Sequence, residues 1–327
     1  MKKNIIQLFI FLVLITLFLT GCKKENTIDE NSISIVATNF PAYDFARSVV
    51  TKVDENYLAP INNFTNVNIK LLIKPGMETH SFDPTPKDII DIQNADIFIY
   101  MGGHSEAWVE KILATSNKLP KKIIKLKDVV EISDNHQHHE TEHNHNEHEE
   151  DEHFWTDSKN AIKMISNILE NIIEIDNEKT SGKYIEEYKS NANSYINKIS
   201  NLSTEIKNTV DNSSNKLLIF GDRFPFTYFT EEYDLDYVAT FDGCSSAVEA
   251  KTSTIAELIN IAKNTNAKAI FKIEMSNGKI AQTIADATGA KILELHSCQN
   301  VTKDDFNRGV TYAYTMKSNL EAIKEGL

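Results

Sequence analysis

Residues His136 to His153 hold seven of the ten histidines in the chain and read HQHHETEHNHNEHEEDEH. Imidazole nitrogen and carboxylate oxygen are both good ligands for borderline divalent metals, and imidazole suits zinc, copper and nickel in particular. A tract this dense in both binds such ions whether or not it is folded. It has no apolar residue between Ile132 and Phe154, so it cannot add to a packed core. It lies inside the chain, where a purification tag would not. His136, His138, His139, His143, His145 and His148 are therefore read as a secondary metal tract.

Three histidines stand apart from the dense part of the tract. His80 follows an apolar run ending at Ile73, in Lys74-Pro75-Gly76-Met77-Glu78-Thr79-His80-Ser81-Phe82-Asp83-Pro84. His153 closes the tract in His153-Phe154-Trp155-Thr156, just before a helical pattern. His296 follows the run Ile292 to Leu295 and precedes Ser297-Cys298. Two thus follow predicted strand ends and one begins a helix. In parallel α/β sheets ligands gather outside the carboxyl ends of strands, so one shared metal site explains all three positions. His104 also follows a predicted strand, but in a glycine turn (Gly102-Gly103), and is read as a non-ligand.

The elements that must position these residues alternate. Short β-branched runs fall at 33–38, 67–73, 96–101 and 122–126, and again at 216–220, 237–241, 269–273 and 291–295. Helical patterns lie between most of them. Alternation of this kind predicts parallel sheets with crossover helices. The fold class is α/β: two lobes, each with a four-stranded, mainly parallel sheet flanked by helices. Between the lobes, Ile162, Ile165, Ile168, Leu169 and Ile172 follow the capping residues Thr156-Asp157-Ser158 at helical spacing. From about 180 to 210, Tyr184, Tyr188, Ala192, Tyr195, Ile199, Leu202, Ile206 and Val210 recur at steps of three and four. That helix would be ~45 Å long, a stiff strut between lobes. A two-helix hairpin within one domain is the other reading. The expected divisions are 34–178 for the N-terminal lobe with the His-rich loop at 134–152, 179–212 for the linking helix, and 213–327 for the C-terminal lobe.

The chain has 327 residues, 41% hydrophobic, with a formal charge of −13. That balance argues against nucleic acid as a partner. Lys2 and Lys3 precede a nearly unbroken apolar run from Ile5 to Leu19, short of the ~20 residues a membrane span needs. The run ends in Leu19-Thr20-Gly21-Cys22, which resembles the bacterial lipoprotein signal. Residues 1–21 then read as a signal peptide, Cys22 as the lipidated first mature residue, and 22–33 as a flexible tether. This anchors the protein by a lipid outside the cytoplasm. Two cysteines remain, Cys244 and Cys298. An even count in an exported protein makes a disulfide the expectation, over buried free thiols or thiolate ligands.

The motifs around the histidines resemble those of a known family. Pro75-Gly76-x-Glu78-x-His80-Ser81-Phe82-x-Pro84-Thr85-Pro86-x-Asp88 is similar to the first metal motif of the solute-binding lipoproteins of ABC-type zinc and manganese importers. His153-Phe154-Trp155-Thr156 is similar to the second, and Gly221-Asp222-Arg223-Phe224-Pro225-Phe226-x-Tyr228-Phe229 stands in the place of the third. The His-rich loop just before the second motif points to the zinc branch. The resemblance implies two α/β lobes, a rigid linking helix and a metal buried between the lobes. It also implies an ABC permease as partner and a monomeric receptor.

The third motif departs from the pattern. Arg223 falls where the family carries His or Glu, and a guanidinium cannot ligate a cation. His296 falls where a carboxylate is usual. The expected set is therefore rearranged: His80, His153 and His296, completed by Asp222 or by water. Glu78 is the alternative, and Asp242 and Glu249 rank below it. For Asp222 the competing reading is an ion pair with Arg223 or a turn cap. Three imidazoles and one oxygen make a zinc-type shell, whereas manganese wants more oxygens. Zn(II) is thus the expected cargo, with manganese or nickel the alternative. A surface adhesin or zinc buffer without a permease is another reading. A zinc hydrolase is disfavoured, since there is no His-Glu-x-x-His and no general base near the ligands.

Overall fold

The computed structural model describes residues 31–62, 64–79, 81–130, 151–241 and 250–327, and the backbone alone of Asp242. The signal segment, Cys22, the six tract histidines 136 to 148, His80, Cys244 and Glu249 lie outside the described residues. Strands β1 (Ile33–Ala37), β2 (Val67–Leu71), β3 (Ile97–Tyr100) and β4 (Lys122–Lys125) form one sheet, ordered β2-β1-β3-β4. Strands β5 (Leu217–Phe224), β6 (Asp236–Asp242), β7 (Ala269–Ile273) and β8 (Lys291–Leu295) form a second, ordered β6-β5-β7-β8. Every pairing is parallel. All eight strands expected from the β-branched runs are present. Both sheets reverse direction of winding beside their first strand, between β1 and β3 and between β5 and β7. Such switch points open a crevice at the strand ends.

Helices α1 (Phe40–Val50), α2 (Pro86–Asn94) and α3 (Ala107–Thr115) cover the first sheet. Thr85 and Asp88 cap α2 reciprocally, each side chain taking the other's backbone amide. Asp157 caps α4 (Ser158–Thr180), accepting from the amides of Lys159 and Asn160. The chain then turns through Ser181 and Gly182, both at positive φ, into α5 (Ile185–Asp211). At 27 residues α5 is about 40 Å long. Its fully buried stripe is Tyr188, Ala192, Tyr195, Ile199, Leu202, Ile206 and Val210. Helices α4 and α5 pack on each other, so the strut is one arm of a hairpin. The second sheet carries α6 (Thr227–Tyr233), α7 (Thr252–Asn264), α8 (Lys279–Thr288), α9 (Lys303–Arg308) and α10 (Tyr312–Gly326). No helix among the described residues is long and apolar enough to cross a membrane.

The two expected lobes are joined at several places, and one of them is a return of the chain itself. After β8 the chain returns to the first half. Leu58 bridges Val310, the Ala59 amide donates to the Gly309 carbonyl at 2.9 Å, and the Gly76 amide donates to the Val301 carbonyl at 2.8 Å. Gly309 sits against the Ala59 carbonyl so closely that a Cβ there would meet it at 2.2 Å. A single apolar core runs from Ile33 and Ile35 in β1 through α4 and α5 to Phe271 and Ile323. Residues 33–327 accordingly form one compact body.

A buried ionic cluster sits where α1, α5 and α10 meet. Asp44 and Arg47, one turn apart on α1, are both fully buried and paired. Asp44 also accepts from the Tyr195 hydroxyl of α5 at 2.6 Å and from the Tyr312 amide of α10 at 2.8 Å. Arg47 donates to the Val310 carbonyl at 2.6 Å. Burial, reinforced by the Asp44 carboxylate, pushes the Tyr195 hydroxyl far above its usual range, so it remains a donor.

The expected disulfide is not formed at Cys298. That thiol is free and buried, with its Sγ 2.8 Å from the Thr315 hydroxyl. Cys298 sits in the loop after β8, with its Sγ against the first turn of α10.

Asp44→Ala would leave a guanidinium buried without its counter-charge. Breaking such a pair costs about 3–5 kcal/mol. Denaturant unfolding should show a midpoint shift of that order; a shift below about 1 kcal/mol would mean that the cluster does not hold the three helices together.

Candidate metal centre

The carboxyl ends of β5 and β7 open into a polar pocket of about 450 Å3. This is the switch point of the second sheet, the position where ligands collect in such folds. Strand β5 runs four residues past the end expected from its β-branched run, with an irregularity between Phe220 and Arg223. That irregularity turns Asp222 and Arg223 into the pocket wall. Gly221 makes it feasible: a Cβ there would meet the Ala281 backbone of α8 at 2.4 Å. The absent side chain lets α8 seat its first turn against the strand, and Lys279 and Ile280 line the same pocket. The first half contributes Gly76 to Thr79 from the loop after β2, together with His153.

His153 is buried and held from two directions. Its Nδ1 lies 2.7 Å from Asp151 Oδ1, and its amide donates to the same oxygen at 2.9 Å. Asp151 Oδ2 accepts from the Thr227 amide at the start of α6 at 3.2 Å. Burial raises the pKa of Asp151, but the His153 charge and these hydrogen bonds outweigh it and hold the carboxyl below the usual range. An ionised carboxylate can only accept, so Nδ1 carries the proton and Nε2 is the nitrogen suited to a metal. A carboxylate behind a ligating imidazole fixes its tautomer and raises its basicity. Trp155 locks the turn that follows. Its Nε1 donates to the Ser297 carbonyl at 2.9 Å, and its own carbonyl accepts from the Tyr312 hydroxyl at 2.8 Å.

Of the expected ligands, His153, Asp222 and Glu78 line one pocket. Asp222 Oδ1 accepts from the Arg223 amide at 2.9 Å, as a turn cap would. Its Oδ2 is buried with no hydrogen-bond partner. An orphaned carboxylate oxygen is costly in an apo protein and fits an arriving cation. Arg223 forms no ion pair with Asp222 among the described residues. His80 lies outside them; Thr79, just before it, lines the pocket.

His296 is held differently from the expectation. It does not line the pocket, although Ser297 and Gln299 do. Its Nδ1 accepts from the Cys298 amide at 2.9 Å and lies 3.8 Å from Glu274 Oε1. Its backbone is clamped by the Asn319 side chain on both amide and carbonyl. With Nδ1 accepting, a neutral ring carries its proton on Nε2, the wrong tautomer for ligation through Nε2. The side chain of Asp242 and all of Glu249 lie outside the described residues. Among the described residues, no three His, Cys, Asp or Glu side chains form a group able to hold an ion.

Two residues were missed in the sequence, Asp151 behind His153 and Glu274 in the pocket wall. Asp151 is one acid among many in the tract, and no local signal sets it apart. Glu274 directly follows β7 and was open to discovery by the strand-end rule. It accepts from the Ser297 amide at 2.9 Å and from the Ser297 hydroxyl, fixing the loop that follows β8.

Comparison with known proteins agrees with this architecture. The family model described as zinc-uptake complex component A, periplasmic, matches residues 35–326. The chain is 30% identical over 301 residues to the high-affinity zinc uptake system protein ZnuA of Bacillus subtilis, covering 91% of this chain and 88% of that protein. It is 28% identical over 319 residues to the zinc-binding lipoprotein AdcA of Streptococcus pneumoniae, covering 95% of this chain and 59% of AdcA. The crystal structure of the Zn(II)-bound ZnuA-like domain of that AdcA superposes with a TM-score of 0.70 at 26% identity, over 90% of this chain and 98% of the domain. The metal-dependent lipoprotein YcdH of Bacillus subtilis superposes with a TM-score of 0.71 at 27% identity, over 90% of this chain and all of that one. Two parallel four-stranded sheets, a polar crevice at their switch point and a family match across nearly every described residue lead to one conclusion: the chain belongs to the zinc-uptake complex component A family.

Proposed function

We propose that this protein is an extracytoplasmic receptor that captures Zn(II) in the crevice between its sheets and hands it to the permease of an ABC importer. The observation that carries this reading is the pairing of a carboxylate-backed imidazole, His153 on Asp151, with the orphaned Asp222 Oδ2 in one pocket. The names of its relatives, a zinc uptake protein and a zinc-binding lipoprotein, support zinc as the cargo. The ligands are His153 through Nε2, Asp222 through Oδ2, and His80 from the loop that also carries Glu78 and Thr79. His296 completes the shell only if its ring gives up the Cys298 amide; otherwise water does. Lipidation at Cys22 would tether the receptor beside its permease. The tract from His136 to His148 would gather zinc near the mouth of the site.

Calorimetric zinc titration of the mature chain tests the ligand set. His153→Ala should abolish tight binding. Asp151→Asn should weaken it by about 10- to 100-fold with little change in melting temperature. Wild-type affinity in Asp151→Asn would remove Asp151 from the site.

Acidification gives a separate reading. Asp151 titrates below the usual carboxylate range, so it stays ionised while imidazoles take up protons. Ligation needs neutral imidazole, so affinity should fall as pH drops through about 6.5. Tight binding unchanged at pH 5 would refute histidine ligation.

Removing residues 136–150 should erase several weak sites and spare one tight site. Loss of the tight site on deletion would assign the tract a direct part in it.

A further inference from the structure

Asn300 is buried in the lining of the crevice, yet it is turned away from any cation there. Its Nδ2 donates both hydrogens to the first half, to the carbonyls of Lys74 at 3.2 Å and Met77 at 2.8 Å. Its Oδ1 accepts from the Val301 amide at 2.8 Å. The three bonds agree on one orientation of the amide group, since a flip would set oxygen against two carbonyls and nitrogen against an amide.

What Asn300 holds is a turn. Lys74-Pro75-Gly76-Met77 closes with the Met77 amide donating to the Lys74 carbonyl at 3.1 Å, and Gly76 has a φ of +78°. Proline in second place and a glycine at positive φ in third mark a type II turn. The two carbonyls that Asn300 takes belong to the first and last residues of this turn. Between them, the Gly76 amide donates to the Val301 carbonyl at 2.8 Å. Two consecutive residues of the second half thus grip a turn of the first. Directly after it, Glu78 and Thr79 line the pocket that Asp222 lines from the second half. Before it, the amides of Leu72 and Ile73 donate to the carbonyls of Ala37 and Thr38. The loop is therefore tied to the first sheet on one side and to the second half at the turn.

From this arrangement we infer that Asn300 is a positioning residue of the metal centre: it sets the span between the first-half loop and the Asp222 wall, and so governs how long zinc is held and which ion is preferred. The inference rests on the proposed zinc function and adds to it a residue that never touches the metal. Zinc takes a compact tetrahedron with ligands at ~2.0–2.2 Å, whereas manganese wants more oxygens around it. A loop pinned at one distance suits the first demand. A loop released from Asn300 would keep its turn, which Pro75 and Gly76 set locally, but would lose its register against the second half and could admit further oxygens.

The test measures zinc release from the mature chain into excess chelator by stopped flow, competition between Zn(II) and Mn(II), and thermal melting. Asn300→Asp keeps the volume and the acceptor for Val301 but sets a carboxylate against two carbonyls. Its added negative charge alone would strengthen a cation's binding, so faster release would report lost positioning. Gly76→Ala reaches the same link from the other side: its Cβ would meet nothing within 4 Å, but a φ of +78° strains alanine, so the turn shifts without a clash. Asp96→Asn is the control, at the amino end of β3, where Asp96 accepts from Ser34 and Lys179. Asn300→Asp and Gly76→Ala should release zinc about 10- to 100-fold faster than the wild type and prefer Zn(II) over Mn(II) by a smaller ratio. Asp96→Asn should melt lower and release zinc at the wild-type rate. If Asn300→Asp releases zinc as the wild type does, or if all three variants speed release in proportion to their loss of melting temperature, the inference is overturned and the zinc receptor stands. Should Asn300→Asp fail to fold, Gly76→Ala decides by the same outcomes. If the wild type binds no zinc tightly, the receptor reading fails and the inference falls with it.

Discussion

The buried Asp44 carboxylate is the constraint around which the molecule is assembled. It faces Arg47 on its own helix, the Tyr195 hydroxyl on the long strut and the Tyr312 amide on the last helix. These three elements are more than a hundred residues apart along the chain, and no apolar contact could demand so specific a meeting. A charge pair taken out of water must be surrounded by donors or it destabilises the fold. Each partner therefore has little freedom to slide. The relation between the two sheets is set by this cluster together with the continuous core, and the crevice inherits its width from both.

The crevice is built unequally. The second sheet supplies a rigid wall: the bulged end of β5, the end of β7 and the first turn of α8, drawn together at Gly221. The first half supplies loops, and these are pinned to the far side. Asn300 donates to the carbonyls of Lys74 and Met77 at 3.2 and 2.8 Å, and Trp155 reaches the Ser297 carbonyl. Asp151 completes the arrangement, since one of its oxygens holds His153 and the other holds the start of α6. The side chain suited to ligation is thus oriented by groups from both halves. Relative motion of the sheets would be felt directly at the imidazole.

Much of this was legible in the sequence because it follows from period and spacing. β-branched runs in alternation with helical patterns located all eight strands and both long helices. Asp157 acted as the cap its position suggested, and the motif residues His153, Asp222 and Glu78 came to one pocket. What was not legible depends on groups distant in sequence. The orientation of His296 is decided by the Cys298 amide and by Asn319 on α10. The extension of β5 past Phe220 depends on a glycine whose neighbour is a helix sixty residues on. Asp151 sits among similar acids, and only the approach of Thr227 distinguishes it. The return of residues 301–310 to the first half has no local signature, since those residues meet it through their backbone groups.

The free thiol of Cys298 bears on how the protein ages. Burial pushes its pKa far up, with the Thr315 hydroxyl opposing only part of that effect, so the reactive thiolate is scarcely populated. In a compartment where oxidants and disulfides are abundant, such a sulfur survives only as long as the surrounding helix stays closed. Its chemical modification would then proceed at the tempo of opening events near the head of α10. The same events would release the loop that bears Ser297, so a population of receptor molecules would carry in this one atom a cumulative record of how often the back of the binding crevice has come apart.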